Sequence, residues 1–135
     1  MREILFKAKR LDNGEWASGS LVCFAGGERA ILPSDSKAFF SNKGFICCDT
    51  CHDVDPATVC EYTGLTDKNG KKIFEGDILS YNGSREPVIF NIDLRIPCFT
   101  TGIGSGSSTP LHPYKLSKRH FVIGNIHDGE GGQHE

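Results

Sequence analysis

Short runs of alternating apolar and polar residues, separated by tight-turn sequences, occur along most of the chain. The first run, residues 4–9, has the two-residue period of a half-buried β-strand. Asp12-Asn13-Gly14 predicts a turn, and the return strand at residues 15–24 has a candidate bulge at Gly19. A third strand is predicted at residues 29–32. The N-terminal part is therefore expected to be a hairpin extended into a small sheet.

The pattern weakens between the third strand and the middle of the chain. Two short strands are predicted at residues 37–40 and 44–47, around a turn that contains glycine. Residues 49–56 are polar and predict a loop, and Pro56 suits the first position of one helical turn. Residues 58–63 favour a strand that enters the central part of the sequence.

The central part has the highest density of turn residues in the chain. Residues 67–70 read Asp-Lys-Asn-Gly, which favours a tight turn because asparagine and glycine accept positive φ angles. Apolar strand positions follow at Ile73-Phe74 and Ile78-Leu79, and Glu75-Gly76-Asp77 interrupts them. A glycine inside a strand pattern indicates a bulge or a close backbone approach. The sequence therefore predicts a hairpin or a corner at this point.

The last third of the chain is also predicted to be β-rich. A turn at Asn82-Gly83 leads to an answering strand at residues 87–92, and the last strand is predicted at residues 120–127. Residues 100–110 are rich in glycine, serine and threonine and predict a loop. No segment has a long 3.6-residue apolar period. We predict a mostly β protein in two closely packed parts.

The amino-acid composition indicates a globular protein and argues against membrane and nucleic-acid-binding classes. The chain has 135 residues, 38% of them hydrophobic, and a formal net charge of −2, as in an ordinary globular protein. The near-neutral charge gives no electrostatic reason to expect nucleic acid as the main partner. No run approaches the roughly 18 apolar residues of a membrane helix, and the charged N-terminal run is not a signal peptide. We therefore expect no membrane partner and a cytoplasmic protein with reduced thiols.

The central motif and both ends resemble the YopX-like family, small proteins of bacteriophages and of prophage regions in bacterial genomes. The resemblance rests on residues 55–59, 62–65, 67–71 and 73–78, together with the opening residues 1–6 and 13–16 and the closing residues 122–126. It implies one compact unit in the cytoplasm of a bacterial host. Residues 1–60 would form an N-terminal β subdomain, packed against a C-terminal SH3-like small β-barrel at residues 61–135. No activity is established for the family, so no catalytic residue can be transferred to this chain.

Six cysteines include a cluster that is outside the family pattern. Cys48 and Cys51 have the spacing with which two thiolates can bind one metal ion, and His52 and Cys60 are further candidate ligands. Zinc is therefore the one possible cofactor, although no second Cys-x-x-Cys or His-x-x-x-His follows, and Cys47 and His112 compete for the remaining positions. Alternatively, the cluster is a loop with free thiols, and Cys23, Cys60 and Cys98 are small core residues. A redox Cys-x-x-Cys lacks the usual strand-to-helix context.

Glu75 and Asp77 are the best candidate pair of carboxylates. They are two residues apart, so a regular strand would place both on one face, which suits metal binding or acid–base catalysis. The alternative is that Asp77 accepts hydrogen bonds from turn amides and Glu75 is solvated. His112, His120 and His127 have no ligand spacing, and no serine lies in a Gly-x-Ser-x-Gly motif. We therefore expect no enzyme, and a metal-dependent hydrolase is the third hypothesis.

Basic residues favour a second hypothesis, a small β-barrel that binds nucleic acid. They cluster at the central turn and before the last strand, at Lys68, Lys71, Lys72, Lys115, Lys118 and Arg119. Exposed aromatic side chains beside such charges stack on single strands, and the candidates are Tyr81, Phe99 and Tyr114. The alternative is that these lysines solubilise a turn and a strand edge.

The first hypothesis is an uncharacterised, non-catalytic phage accessory protein that acts through protein–protein contacts. It rests on the missing catalytic pattern, the near-neutral charge, the edge-rich β pattern and the family resemblance. Under this hypothesis the protein is a homo-oligomer with a possible phage or host protein partner. Its binding motif would be the central turn, with Glu75, Gly76, Asp77, Lys68, Lys71 and Lys72 as the binding residues.

Overall fold

The computed structural model describes residues 3–81, 83–91, 98–101, 109–110 and 120–128. These residues form antiparallel β-strands and one short 3-10 helix at Pro56–Thr58, and none of them is in an α-helix. The mostly β fold class expected from the sequence is therefore confirmed. No described helix is long and apolar enough to cross a lipid bilayer.

The chain divides into two compact units. The N-terminal unit covers residues 4–60, and the C-terminal unit covers Glu3 and residues 61–128 as far as they are described. The strands of the N-terminal unit are β1 (Phe6–Lys9), β2 (Trp16–Cys23), β3 (Arg29–Pro33), β4 (Ala38–Phe40), β5 (Ile46–Cys48) and β6 (His52–Val54).

Four of these strands form an antiparallel sheet in the order β6-β3-β2-β1. The expected N-terminal hairpin is present, with Phe6 opposite Gly19 and Lys9 opposite Trp16. Gly19 lies where the β2 backbone meets β3 so closely that a Cβ atom would overlap the carbonyl oxygen of Leu32. Glycine is therefore required at this position for steric reasons.

The core of the N-terminal unit is small and lies on one face of this sheet. Ala8, Ala17, Ile31 and Val54 are buried together, and Phe6, Leu21 and Val59 pack against them. Lys9 donates its backbone N–H to Thr58 Oγ1 at 2.8 Å, which attaches the 3-10 helix to β1. The predicted helical turn at Pro56 is confirmed, with Asp55 as its N-cap.

The prediction of a loop at residues 49–56 is wrong in part. His52–Val54 form β6, which pairs with β3 through Ile31 opposite His52 and Arg29 opposite Val54. Arg10, just after β1, makes an isolated bridge to Val54 on the other side of β6. These three residues have no alternating apolar pattern, so their strand conformation follows from the neighbouring chain segments rather than from local sequence.

Strands β4 and β5 form a separate two-stranded hairpin. Ala38 lies opposite Cys48 and Phe40 lies opposite Ile46, as the sequence predicts. The hairpin turn is closed by Ser41, whose N–H donates to Phe45 O at 2.7 Å. We call residues 36–50 the hairpin arm, because β4 and β5 pair only with each other among the described strands.

The C-terminal unit contains shorter and more fragmented sheets. Its strands are β7 (Cys60–Thr66, starting at the unit boundary), β8 (Lys72–Phe74), β9 (Asp77–Tyr81), β10 (Ser84–Pro87), β11 (Ile89–Asn91), β12 (Cys98–Thr101), β13 (Thr109–Pro110) and β14 (Phe121–Asn125). β7 pairs with β8, β9 lies between β10 and β14, and β12 lies between β11 and β13. Ile73, Leu79 and Val88 form the core of this unit, with Leu65, Phe99 and Val122 packed against them.

Two finer predictions for the C-terminal unit are corrected. The described strands do not close into a barrel, so the SH3-like detail is not shown. The strand predicted at residues 87–92 is two strands: Ser84–Pro87 answers β9, and Ile89–Asn91 pairs with β12 instead. β10 pairs with β9 from Ser84, opposite Tyr81, to Pro87, opposite Ile78.

Candidate functional site

Asp77, the carboxylate at the end of the central motif, is fully buried. Its Oδ2 accepts a hydrogen bond from the N–H of Phe74 at 2.8 Å, and its Oδ1 accepts one from Nδ2 of Asn125, also at 2.8 Å. Both oxygens therefore hold the β8–β9 corner and the end of β14 together. Burial of the carboxylate is compensated by these charge-assisted hydrogen bonds.

Glu75 and Gly76 form the turn between β8 and β9, and they are not part of a regular strand. Gly76 has a φ of 87°, in the left-handed region that favours glycine. The expectation that Glu75 and Asp77 share one face through strand alternation is therefore wrong, because the chain turns between them.

Glu75 is half-buried beside a second carboxylate, Glu61. Its N–H donates to the carbonyl oxygen of Glu61 at 2.8 Å, so the two residues are neighbours across β7 and the turn. Burial and the charge of Glu61 raise the pKa of Glu75, while the backbone N–H of Phe90 and the nearby His127 act in the opposite direction. The predicted pairing of Glu75 with Asp77 is thus replaced by a pairing of Glu75 with Glu61.

Asp67, at the start of the tight turn, has a structural role that the sequence analysis did not assign. Its Oδ1 accepts hydrogen bonds from the N–H groups of Asn69 and Lys71, at 2.8 and 2.9 Å. Its Oδ2 accepts one from the N–H of Val122 at 2.9 Å, and the residue is 3% exposed. The Asp-x-Asn-Gly pattern indicates the first two bonds, because aspartate side chains commonly accept from amides two residues on.

The lysines of the central turn lie near aromatic rings of the same unit. The Lys68 Nζ is 4.7 Å from the centre of the Phe121 ring. The Lys72 Nζ is 5.7 Å from that of Tyr62 and 3.8 Å from a carboxylate oxygen of Glu3. Lys71 is exposed. Phe99, expected to be exposed, is half-buried and packs against the core of the C-terminal unit. The remaining candidates lie outside the described residues, namely Lys115, Lys118, Arg119, Tyr114 and His112, and so does the side chain of Tyr81.

The candidate metal ligands are only partly brought together. Cys48 and Cys51 are both exposed, whereas Cys60 is buried and its Sγ donates to the carbonyl oxygen of Thr58 at 3.3 Å. Burial, together with the charges of Cys48 and Asp53, raises the pKa of the Cys51 thiol. The described part of the chain has no group of three or more His, Cys, Asp or Glu residues placed to hold a metal ion.

Two shallow clefts lie next to each other in the N-terminal unit. The larger, of about 380 Å³, is lined mainly by apolar groups and includes Leu11, Gly27, Arg29, Val54 and Pro56. The smaller, of about 310 Å³, is lined by Arg10, Leu11, Asp12, Cys51, His52 and Asp53. The bidentate pair that Arg10 makes with Asp12 lowers the pKa of that carboxyl and occupies the guanidinium.

The hairpin arm exposes aromatic side chains on both of its faces. Phe39 and Phe40 are consecutive residues of β4, so they point to opposite faces. They are 51% and 74% exposed, and Phe45, just before β5, is 66% exposed. The arm therefore turns neither face toward a core. The sequence contains only part of this signal, because adjacent residues of a strand lie on opposite faces and at most one of two phenylalanines can enter a given core.

The base of the arm is held by a compact network of hydrogen bonds. The N–H of Lys37 donates to Asp49 Oδ1 at 2.9 Å, and the N–H of Asp49 donates to Lys37 O at 3.0 Å. The Ser36 hydroxyl donates to Asp49 Oδ1 and to the carbonyl oxygen of Thr50, at 3.1 and 2.9 Å. The Lys37 amide and the Ser36 hydroxyl keep the pKa of Asp49 below its usual value. The arm is therefore an ordered projection.

Comparisons with known proteins agree with this fold. The crystal structure of protein EF1440 from Enterococcus faecalis is similar over 96% of both chains, with a TM-score of 0.63 and 22% sequence identity. At that identity the likeness shows the fold alone. No curated protein sequence matches the chain significantly. The family model for YopX protein matches residues 5–130, nearly the whole chain, and the protein therefore belongs to the YopX family.

Proposed function

We propose that this protein is a non-catalytic accessory protein of phage or prophage origin that works by protein–protein contact and assembles with a second copy of itself. The observation that carries the proposal is the hairpin arm, whose phenylalanines are exposed on both faces. The family resemblance supports the phage origin. The saturated carboxylates of Asp67 and Asp77 support a role without catalysis, because their oxygens already accept protein hydrogen bonds.

The exposed area of the arm suits an interface. An isolated two-stranded hairpin is only marginally stable in water, so an ordered one with apolar faces gains from being covered. The exposed fractions of Phe39, Phe40 and Phe45 amount to about 400 Å² of aromatic surface. Because Phe39 and Phe40 point to opposite faces of the arm, one two-fold contact covers only part of this area in each copy. Two copies together therefore remove less than about 800 Å² of aromatic surface, against the roughly 1,200 Å² that small specific interfaces bury.

The backbone of β4 provides the rest of the contact. Asp49 N–H donates to Lys37 O and Ser41 N–H donates to Phe45 O, and hydrogen-bonded positions alternate along an antiparallel strand. The N–H groups of Ala38 and Phe40 therefore point away from β5, toward the open edge. A two-fold axis pairs such an edge with its own copy in antiparallel orientation, which makes a second copy the partner that fits. The near-neutral net charge opposes this association only weakly.

The test compares the oligomeric state of three proteins by sedimentation velocity up to about 100 µM chain, where Kd values near that concentration are detected. We expect a dimer for the wild type and a monomer for the double variant Phe39→Ser/Phe40→Ser. Phe24→Ser is the matched control, because Phe24 is also 51% exposed but lies outside the arm; it should stay dimeric. A monomeric wild type, or a double variant that still associates, would overturn the proposal.

Hydrogen exchange adds a readout that locates the interface. In a dimer that pairs through β4, the amides of Ala38 and Phe40 exchange slowly at high concentration and fast on dilution. The amide of Phe39 already pairs within the hairpin by the same alternation, so its exchange should change less. Equal changes at all three amides would argue against edge-to-edge pairing.

A further inference from the structure

Two of the three Asn-Gly pairs of the chain lie wholly among the described residues, at residues 13–14 and 69–70. An asparagine before glycine can lose its side-chain amide without an enzyme, because glycine leaves its backbone nitrogen sterically open to attack the side-chain carbon. In both turns this nitrogen donates a hydrogen bond to a main-chain carbonyl oxygen of the same turn, at 3.0 Å. The two pairs are therefore equal in this contact, and their other surroundings decide their reactivity.

The side chain of Asn13 is held by hydrogen bonds, whereas that of Asn69 is not. Asn13 Nδ2 donates to Glu15 Oε1 at 3.4 Å, and Asn13 Oδ1 accepts from the N–H of Glu15 at 2.9 Å. Asn69 donates its backbone N–H to Asp67 Oδ1, and its side chain makes no hydrogen bond with the described residues. The amide of Asn69 is therefore the one that can rotate without breaking a contact.

The two glycines also differ in exposure. Gly14 is buried, whereas Gly70 is exposed together with Asn69. A Cβ atom placed on Gly70 would meet no heavy atom within 4 Å apart from those of its chain neighbours. The Asn69 side chain can therefore turn toward the Gly70 nitrogen without displacing another group, and water can reach both.

The peptide bond between Asn69 and Gly70 lies inside the hydrogen-bond network of Asp67. The N–H groups of Asn69 and Lys71 both donate to Asp67 Oδ1, and Asp67 Oδ2 accepts from the N–H of Val122. A change in main-chain length between residues 69 and 70 moves one of the first two donors relative to the other. The carboxylate must then shift or lose a donor, and its bond to β14 is affected in either case.

We propose that Asn69 is a site of spontaneous deamidation and that its isoaspartate product weakens the attachment of Asp67 to β14. The Gly70 nitrogen loses its proton and attacks Cγ of Asn69, the bond from Cγ to Nδ2 breaks, and Nδ2 leaves as ammonia. Water then opens the resulting cyclic imide. Opening at Cγ gives aspartate, and opening at the main-chain carbonyl gives isoaspartate, whose main chain is one carbon longer.

The balance of this reaction is simple. One water molecule is consumed, one ammonia molecule is released, and no group is oxidised or reduced. The reaction needs no other molecule, and the inference does not depend on self-assembly through the arm.

The first experiment incubates the full chain at mildly alkaline pH, folded in buffer and unfolded in guanidinium chloride, and follows each asparagine by tandem mass spectrometry. We expect a gain of about 1 Da at Asn69, as a mixture of aspartate and isoaspartate. With each rate divided by its rate in the unfolded chain, Asn13 should react about tenfold more slowly than Asn69, because its held amide must be released first. Asn13→Ser is the matched control and should leave the rate at Asn69 unchanged.

Hydrogen exchange tests the effect on β14. In the isoaspartate form, separated by chromatography, the Val122 amide should exchange about tenfold faster than in the unmodified chain. Asn69→Asp adds the negative charge without the extra main-chain carbon, so it should accelerate this exchange less. The amide of Ile31, in the N-terminal unit, is the internal reference and should not change.

Three results would overturn the proposal. The first is a ratio of the Asn69 and Asn13 rates that is the same in the folded and unfolded chains, because the structure would then not select the site. The second is Val122 exchange in the isoaspartate form that equals that of the unmodified chain. The third is an equal acceleration at Ile31, which would indicate general unfolding rather than a loosened β14.

Discussion

The central turn, residues 67–77, and the hairpin arm, residues 36–50, distribute polar and apolar groups in opposite ways. In the central turn two carboxylates are buried, and Asp77 has no exposed surface. In the arm three phenylalanines are more than half exposed. Buried charges and exposed large apolar patches are the informative exceptions to ordinary burial.

The difference indicates that the carboxylates of the central turn stabilise the fold, whereas the hairpin arm is a candidate interaction surface. The oxygens of Asp67 and Asp77 accept hydrogen bonds from donors in the same unit, so these carboxylates stabilise the fold of the C-terminal unit. The arm contributes little to the core of the N-terminal unit, because its aromatic side chains lie outside that cluster. The charged central turn therefore has a structural role, and the apolar hairpin arm is the candidate functional region.

The largest effect should come from removing the Asp77 carboxylate. Asp77→Ala leaves the Phe74 amide and the Asn125 side-chain amide without their acceptor in a buried site, and we expect a loss of about 3 kcal/mol or more in the free energy of unfolding. Urea denaturation followed by circular dichroism measures it. Asp77→Asn keeps the size and one acceptor and should lose less. A loss below about 1 kcal/mol for Asp77→Ala would contradict the scaffold role.

Asp67→Ala should have the next largest effect, a loss of about 2 kcal/mol in the free energy of unfolding, because three backbone N–H groups lose their acceptor. The loss is smaller than for Asp77→Ala because water can accept from the N–H groups of the exposed turn. Urea denaturation gives the value, and hydrogen exchange of the Val122 amide shows whether β14 loosens. Asn69→Ala is the control, since Asn69 is exposed and only its backbone N–H makes this contact. Unchanged exchange at Val122 would show that Asp67 does not hold β14.

Glu75→Gln should stabilise the protein at neutral pH. In the folded state, burial and the Glu61 charge raise the pKa of Glu75. Protonation of Glu75 therefore favours the folded state. This contribution to the free energy of unfolding is complete below the ordinary carboxyl pKa and is lost as the pH rises through the pKa of the folded state. We expect a gain of a few tenths to about 1 kcal/mol at pH 7, limited by solvent screening.

The pH dependence provides the check on Glu75. The gain should disappear below about pH 4, where the glutamate itself is protonated. Glu15→Gln, an exposed residue of the N-terminal unit, should show no such gain. Thermal unfolding from pH 3 to pH 8 measures both, and a gain that persists at acid pH would point to packing rather than charge.

The smallest effect is expected in the arm itself. Phe40→Ser, studied at concentrations where the chain is monomeric, should change the free energy of unfolding by less than about 0.5 kcal/mol because the side chain is 74% exposed. Ile31→Ala in the buried core of the N-terminal unit should lose about 3 kcal/mol by comparison. Urea denaturation of both variants tests the contrast, and a large loss for Phe40→Ser would mean that the arm belongs to the core.

Local sequence predicted those elements that turn chemistry determines. The hairpin of β1 and β2, the arm, and the tight turn after β7 each contain asparagine and glycine at their turns, and these residues specify such turns without help from distant contacts. Strand β6 was missed because His52, Asp53 and Val54 become a strand only by pairing with β3.

The candidate site was less predictable for the same physical reason. The pairing of Glu75 with Glu61 and the bond from Asp77 to Asn125 join residues far apart in the chain, and strand alternation carries no information about them. The adjacency of Phe39 and Phe40 predicts that they lie on opposite faces of a strand. The exposure of both also depends on β4 and β5 pairing only with each other among the described strands, which local sequence does not show.

The long-range hydrogen bonds have a consequence for the order in which the chain folds during synthesis. In the N-terminal unit, the bond from Lys9 to Thr58 spans 49 residues and its second partner is made before residue 60. In the C-terminal unit, the hydrogen bond between Asp67 and Val122 cannot form until 55 further residues have been added. The bond between Asp77 and Asn125 likewise requires Asn125 to have been synthesised. A ribosome adds roughly 5 to 20 residues per second. The long-range bond of the N-terminal unit can therefore form several seconds before the bonds that join Asp67 to Val122 and Asp77 to Asn125.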